Sequence, residues 1–395
     1  MTLQRVFLDR NMWIHLARAS KGRRDGLPYE DVLAMVCYAA EQGLASLPLS
    51  PATYLEQHGI DNALRRTELG EVMLRISRGH TMASPGEDLA NHEVDMALQK
   101  RFGVPTQPWP FQPFGIGTRH AFGVDVREHI GVFNKAPRSD TDQETISRLE
   151  DLLAGNFEAY ALCGPALGED DARGPRTYER YAQDFVEAEE DQAARFRTHG
   201  ADAEMQQRTL LARESIRLLP YVYEACDRAG LNPAKVVEQG AEFLTDFIMD
   251  LPVISSQMVM IRMQHQNPER RWKTNDHHDI AAFSVAVVYC DVIVIEKHWA
   301  ALMRRAKLHE KHKTVILNDL RQLPIEIPLR SLSVRACESP LDATVEGPTY
   351  RCPNARSTLT PPAPSVDPAG VPAFTRARFA SAGIVQFSRR NIRRS

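Results

Sequence analysis

Six carboxylates carry the strongest chemical signal in this chain. Asp9 closes the short apolar run Arg5-Val6-Phe7-Leu8, Glu56 lies in the segment that follows Ser50-Pro51, and Asp276, Asp279, Asp291 and Glu296 crowd a stretch much further on. A carboxylate that ends a buried apolar strand stands where open parallel sheets bind ligands, outside the carboxyl ends of the strands. Several carboxylates brought to one such place repel one another unless a cation neutralises them. Oxygen-only ligation selects hard ions, Mg²⁺ or Mn²⁺, and these favour phosphate chemistry.

The elements that must position these groups are legible at both ends of the chain. Residues 5–9 read as a buried parallel strand. Val32, Leu33, Val36 and Ala40 then recur at helical spacing over 29–43, and Gly43 stands at the expected stop. A second strand, Leu44 to Leu49, leads through Ser50-Pro51 into a helix carrying Glu56, and this strand-helix-strand-helix order is the α/β signature. Near the other end, Asp279 to Tyr289 reads as a buried helix, Val292 to Ile295 as a central strand, Trp299 to Lys307 as a helix and Thr314 to Leu317 as a short strand. Neither fragment has enough strands to bury both faces of a parallel sheet, so 1–60 and 265–325 are expected to build one sheet together.

Between them, from about 65 to 263, the pattern is helical, interrupted by 104–123, which is dense in Pro, Gly and Phe and reads as a structured loop or linker. Thr141-Asp142-Gln143-Glu144 has capping-box spacing, and Asn232-Pro233 is a second helix start. Beyond about 331, Pro, Ser, Thr, Ala and Arg dominate and periodicity is lost, which predicts a disordered tail. The expected organisation is an α/β core in two parts, 1–80 and 263–330, a mostly helical insertion over 81–262, and the Pro/Arg-rich tail 331–395.

Composition sets the class. The 395 residues are 43% hydrophobic and 25% charged, with a formal net charge of −3. These are ordinary globular values, and no run approaches the ~20 apolar residues of a membrane span. A cytoplasmic protein with no membrane partner is the expectation. The six cysteines lack CxxC pairs and read as reduced, mostly buried thiols rather than a zinc knuckle or disulfide framework. Total charge says little about nucleic acid, because local patches set contact electrostatics.

Leu8-Asp9-Arg10-Asn11 resembles the opening motif of PIN-domain nucleases, and Ser50-Pro51-Ala52-Thr53-Tyr54-Leu55-Glu56 resembles their second. Asn275 to Ala282, with Asp276 and Asp279, followed by Tyr289 to Lys297, with Asp291 and Glu296, resembles the last two. The likeness covers about 1–80 and 250–325. It implies a PIN-like parallel sheet flanked by helices, in which acids bind Mg²⁺ or Mn²⁺ that activates water against a phosphodiester. The implied ligands are Asp9, Glu56, Asp279 and either Asp291 or Glu296. The last motif departs from the family, where Thr-x-Asp is common and this chain has Ile295-Glu296-Lys297.

Each candidate has a plainer structural role beside it. Asp9 could cap the helix after it, Glu56 could be a solvated helix residue, and Asp291 a turn residue. Asp276 and Asp279, spaced i to i+3, share a helix face, with one as N-cap and Asp279 favoured as the ligand. Asn11 would orient Asp9 or a bound water, and Ser50 and Thr53 would hydrogen-bond a ligand carboxylate or, more simply, cap the Glu56 helix. His277 and His278 lack zinc-site spacing. Arg270, Arg271, Trp272 and Lys273 suit a phosphate backbone and a stacked base, or form a solvated loop with the indole on the core. The expected activity is that of a metal-dependent nuclease acting on RNA, with DNA as an alternative. The rival is a catalytically inactive PIN-like scaffold whose helical middle binds RNA or a protein partner. An aspartyl-phosphate hydrolase is disfavoured, because Asn11 stands where its second Asp belongs.

Overall fold

The computed structural model describes residues 3–104, 107–123, 158–164, 175–267 and 269–323. The capping-box start at Thr141, the tail from 331 and the thiols Cys337 and Cys352 lie outside these residues; the other four cysteines are buried and form no disulfide among the described residues.

Six short strands are described: β1 (Gln4–Leu8), β2 (Ala45–Ser46), β3 (His80–Met82), β4 (Phe114–Ile116), β5 (Val292–Val294) and β6 (Val315–Leu317). Four of them form one parallel sheet in the order β2-β1-β5-β6. The two ends of the chain therefore share a sheet, as the strand count required, with Val6, Phe7 and Leu8 opposite Val292, Ile293 and Val294. β2 is shorter than the expected Leu44 to Leu49, and the buried Leu49 instead forms an isolated parallel bridge with Thr81. Segment 104–123 is not merely a loop: it holds β4, antiparallel to β3, and a short helix that begins at Gly117 with φ of 75°. That pairing joins residues far apart in sequence and left no local trace.

Side chains alternate across the sheet, and each face has its own helical cover. Val6, Leu8, Val292 and Val294 pack on α1 (Arg10–Ser20), α2 (Glu30–Glu41), α4 (Ala63–Ser77) and the helical segment 158–163. Phe7, Ile293, Ile295 and Ile316 face the other way. There they share a core with α5 (Glu87–Phe102), α8 (Ala203–Ala229), α10 (Gly240–Met249), α11 (Pro252–His265), α12 (Thr274–Tyr289) and α13 (Lys297–Arg305). The remaining helices are α3 (Pro51–His58), α6 (Gly117–Phe122), α7 (Pro175–Thr198), α9 (Ala234–Val237) and α14 (Leu308–His312). The described helices of the chain's middle thus bury one face of the sheet directly. Asn232 accepts from Ala234 N at 3.0 Å, but the helix it starts, α9, is a single turn. Among the described residues no single helix is long and apolar enough to cross a membrane; α10 and α11 reach that composition only as a pair bent by 101°.

The segment 158–164 is bound to α3 and α4 by buried polar contacts. Gln57 Nε2 donates to Leu162 O at 2.8 Å, Arg66 Nε donates to Gly164 O at 2.6 Å, and Tyr54 Oη donates to Glu158. The approach is so close at Gly70 that a Cβ there would sit 2.4 Å from Leu162 O and 2.8 Å from Cys163 Sγ. Gly70→Ala is therefore expected to destabilise the protein by roughly 1–3 kcal/mol despite alanine's better helix propensity. A melting temperature equal to or above the parent's would contradict this packing.

Candidate acidic site

Four helices begin at or reach the carboxyl edge of the parallel sheet. α1 starts directly after β1, α3 follows β2, and α13 follows β5. α12 enters β5 from the amino side, so its own N-terminal half reaches back to the carboxyl edge. Each brings one acid: Asp9 is the N-cap of α1, Glu296 the N-cap of α13, Glu56 lies in the second turn of α3, and Asp279 lies in the second turn of α12. Asp9 N donates to Val294 O at 2.9 Å, which places the ends of β1 and β5, and hence Asp9 and Glu296, side by side.

Burial is the leading influence on these acids, and repulsion between them adds to it. Burial pushes Asp9 up to about 7, with Glu56 and Glu296 adding repulsion. Asp279 is raised well above the usual carboxylate range by burial, by Asp9 and by Glu56, against an opposing hydrogen bond from Trp299. Burial likewise raises Glu56, against the nearby Arg10 and reinforced by Glu296. Among the described residues no three His, Cys, Asp or Glu side chains are already gathered at metal-ligating separations.

Neighbouring groups hold the acids in place. Asp9 Oδ1 accepts from Arg10 N at 2.7 Å, so Asp9 is both a cap and a member of the cluster. Arg10 Nε stands 3.8 Å from Glu56 Oε2. Trp299 Nε1 donates to Asp279 Oδ2 at 2.9 Å. Asn11 Nδ2 donates to Glu296 Oε1, so the described partner of its amide is Glu296, beside α1, and not Asp9. Arg10 adjoins Asp9 in the opening motif, yet its proximity to Glu56 is a tertiary fact. Trp299 carried no signal beyond its place in a helix.

Ser50 and Thr53 do not reach the acids through any described hydrogen bond. Ser50 Oγ accepts from Thr53 N at 3.3 Å and lies 3.0 Å from Thr53 Oγ1, which is the plainer capping role. Asp276 also caps: its Oδ2 accepts from Lys273 N at 2.9 Å, and Oδ1 pairs with Arg270. Asp291 sits at the amino end of β5, exposed, with Oδ2 accepting from Arg5 N at 2.7 Å. It is at the wrong end of the strand to join Asp9, so Glu296 is the acid that completes the cluster. Lys297 is exposed and forms no ion pair among the described residues.

The basic segment is only partly displayed: Arg270 and Trp272 turn inward, whereas Arg271 is exposed. Arg270 lies over the Trp299 ring, 5.5 Å from its centroid, and Arg271 pairs with Glu190 at 3.3 Å. Trp272 is buried against Phe185 and His265, so the surface indole expected for base stacking is not there. Lys273 is exposed. His277 and His278 are buried, which lowers them to about 3 and about 4 and keeps both neutral.

No family model matches the chain, no curated protein matches it, and no solved structure matches it.

Proposed function

We propose that the chain is a metal-dependent nuclease, a PIN-like ribonuclease that hydrolyses phosphodiester bonds with Mg²⁺ or Mn²⁺ held by Asp9, Glu56, Asp279 and Glu296. The observation that supports this reading is that Asp9, Glu56, Asp279 and Glu296, from both ends of the chain, stand at one edge of a parallel sheet within a shared set of hydrogen-bonding and charged neighbours. Such a cluster is unfavourable alone and is stabilised by a hard dication. The donor set fits: it is all oxygen, whereas zinc sites draw on histidine and cysteine. Ligation requires side-chain rotation to close the carboxylates on the ion.

A divalent cation at these oxygens supplies positive charge that acidifies a water and stabilises a departing oxyanion. The protein's own groups set the frame for that chemistry. The Trp299 indole N–H holds Asp279, the Asn11 amide holds Glu296, and Arg10 offers a guanidinium to a phosphate oxygen beside Glu56. RNA is preferred to DNA through the motif resemblance, and a cytoplasmic location accords with the absence of a spanning helix among the described residues. A PIN-like scaffold that binds RNA or a protein without cutting is the second reading. It is favoured by Arg10, a built-in cation that already neutralises part of the cluster.

Glu296 and Asp291 provide the test. At a Mn²⁺ concentration of roughly 100 times Kd, the parent is expected to gain about 2.7 kcal/mol of stability. Glu296→Gln should weaken Mn²⁺ binding by about 10–100-fold and reduce cleavage of single-stranded RNA in step. Asp291→Asn should leave both unchanged, its cost limited to one exposed hydrogen bond of about 1 kcal/mol or less. A parent that neither gains stability from Mn²⁺ nor cleaves RNA refutes the nuclease reading in favour of the scaffold.

A further inference from the structure

A basic stretch begins directly after Glu296. Residues 297–313 hold six Lys and Arg side chains, Lys297, Arg304, Arg305, Lys307, Lys311 and Lys313, against one acid, Glu310. Two of the six are committed within the molecule: Arg304 donates to Ile316 O, and Lys311 donates to Ser255 Oγ at 2.9 Å. Lys297, Arg305, Lys307 and Lys313 are exposed, and their side chains make no ion pair or hydrogen bond among the described residues.

These cations form a line. α13 starts at the carboxyl edge of the sheet, beside the acids, and runs back to the amino edge, where Lys313 precedes β6 and Val315 pairs with Val292. Lys297, Ala301, Arg304 and Arg305, at i, i+4, i+7 and i+8, share the exposed face of that helix. The eight-residue step from Lys297 to Arg305 spans about 12 Å, the rise of about three to four nucleotides at ~3.4 Å each.

Local structure does not account for the lysines. Arg304 and Arg305 sit in the last turn of α13, where cations complement the helix dipole, but Lys297 sits in the first turn, where a cation opposes it. Lys307 and Lys313 have φ of 57° and 59°, the left-handed region in which Gly or Asn is the ordinary choice. Unpaired cations at positions that disfavour lysine point to a partner outside the fold. Protein interfaces centre on buried aromatic and aliphatic anchors and keep charge at the rim. Among the described residues, α13 and α14 expose no large hydrophobic side chain. Cations strung in a line without an apolar centre match the phosphates of a nucleic acid backbone, which position a strand without reading its bases.

We propose that the exposed surface of α13 and α14 is a binding track for a phosphate backbone, which holds a nucleic acid strand from the acid cluster toward the amino edge of the sheet. That the strand so held flanks a scissile bond on one side rests on the nuclease reading; backbone binding itself does not, and it can be measured without cleavage.

Anisotropy of a fluorescent single-stranded RNA in EDTA, titrated with salt, reads the track. Each backbone contact to a single strand contributes about 0.7 to the slope of log affinity against log salt. Lys297→Gln, Arg305→Gln, Lys307→Asn and Lys313→Asn combined should flatten the slope by about 2.8. The parent should then lose about 50-fold more affinity than this variant between about 50 and about 200 mM salt. Asn tolerates left-handed backbone at 307 and 313, so the variant should melt no lower than the parent. Each change alone should flatten the slope by about 0.7, which keeps the test open where the combined variant misfolds. The same charge removed from exposed residues on other elements, by Arg24→Gln, Arg65→Gln, Arg180→Gln and Lys235→Gln, should leave the slope unchanged within about 0.7. An unchanged slope in the track variants, equal flattening in both combined variants, or no RNA binding by the parent overturns the assignment. Polyglutamate bound in place of RNA also overturns it and identifies an acidic protein as the partner. A flattened slope without Mn²⁺-dependent cleavage by the parent removes the nuclease reading and keeps the track; cleavage by the parent with an unchanged slope does the reverse.

Discussion

Asp9→Asn is expected to lower Mn²⁺- or Mg²⁺-dependent cleavage of single-stranded RNA by at least about 100-fold, while the metal-free variant melts no lower than the parent. The amide keeps the shape of the side chain and can still accept from Arg10 N, and Asn is as good an N-cap as Asp. What is lost is charge at the centre of the cluster, where Asp9 repels Asp279 and is itself repelled by Glu56 and Glu296. Removing it relieves that repulsion in the metal-free protein and removes a cation's anchor. A purely structural Asp9 gives the opposite pattern, a lower melting temperature with activity largely retained. Cleavage by the variant at the parental rate would remove Asp9 from the site.

The metal-free protein is expected to lose stability as pH rises, against the usual behaviour of paired acids. Asp9 moves from an ordinary value of 3.8 to about 7, chiefly through burial, and Asp279 and Glu56 are raised as well. A raised acid binds its proton in the folded state over a range where the unfolded chain has released it. Its stabilising contribution is fully present below the unfolded value and is lost as pH rises through the folded one. For Asp9 alone this amounts to roughly 2–3 kcal/mol between about pH 5 and pH 8. Glu93, buried under the start of α11 where it accepts from Val253 N and Ile254 N, is also raised to about 7. The decisive quantity is therefore the difference between parent and Asp9→Asn, from denaturant titrations in EDTA. The variant's relative stability should increase by that amount from about pH 5 to about pH 8. Excess Mn²⁺ should reverse the trend, since the ion binds only ionised carboxylates. A parent-variant difference that stays flat with pH would show that Asp9 is an ordinary, solvated acid.

Local pattern determined much of this molecule. The apolar runs before Asp9 and through Val292 to Ile295 are central strands, because few other structures bury consecutive β-branched and aromatic residues within so short a length. The scarcity of strands at each end required their union in one sheet, and the capping roles of Ser50 and Asp276 follow from spacing within a turn or so of chain. Only the tertiary structure decided which acids meet. Asp291 and Glu296 flank the same strand and look alike in sequence, but a parallel strand has two ends, and Asp9 lies at the one that Glu296 occupies. Asn11 serves Glu296, Trp272 turns inward, and β4 pairs with β3, because each contact joins residues distant along the chain. Periodicity records which face of an element is buried; it does not record what the opposite wall presents, and that partner is chosen by packing across the whole sheet.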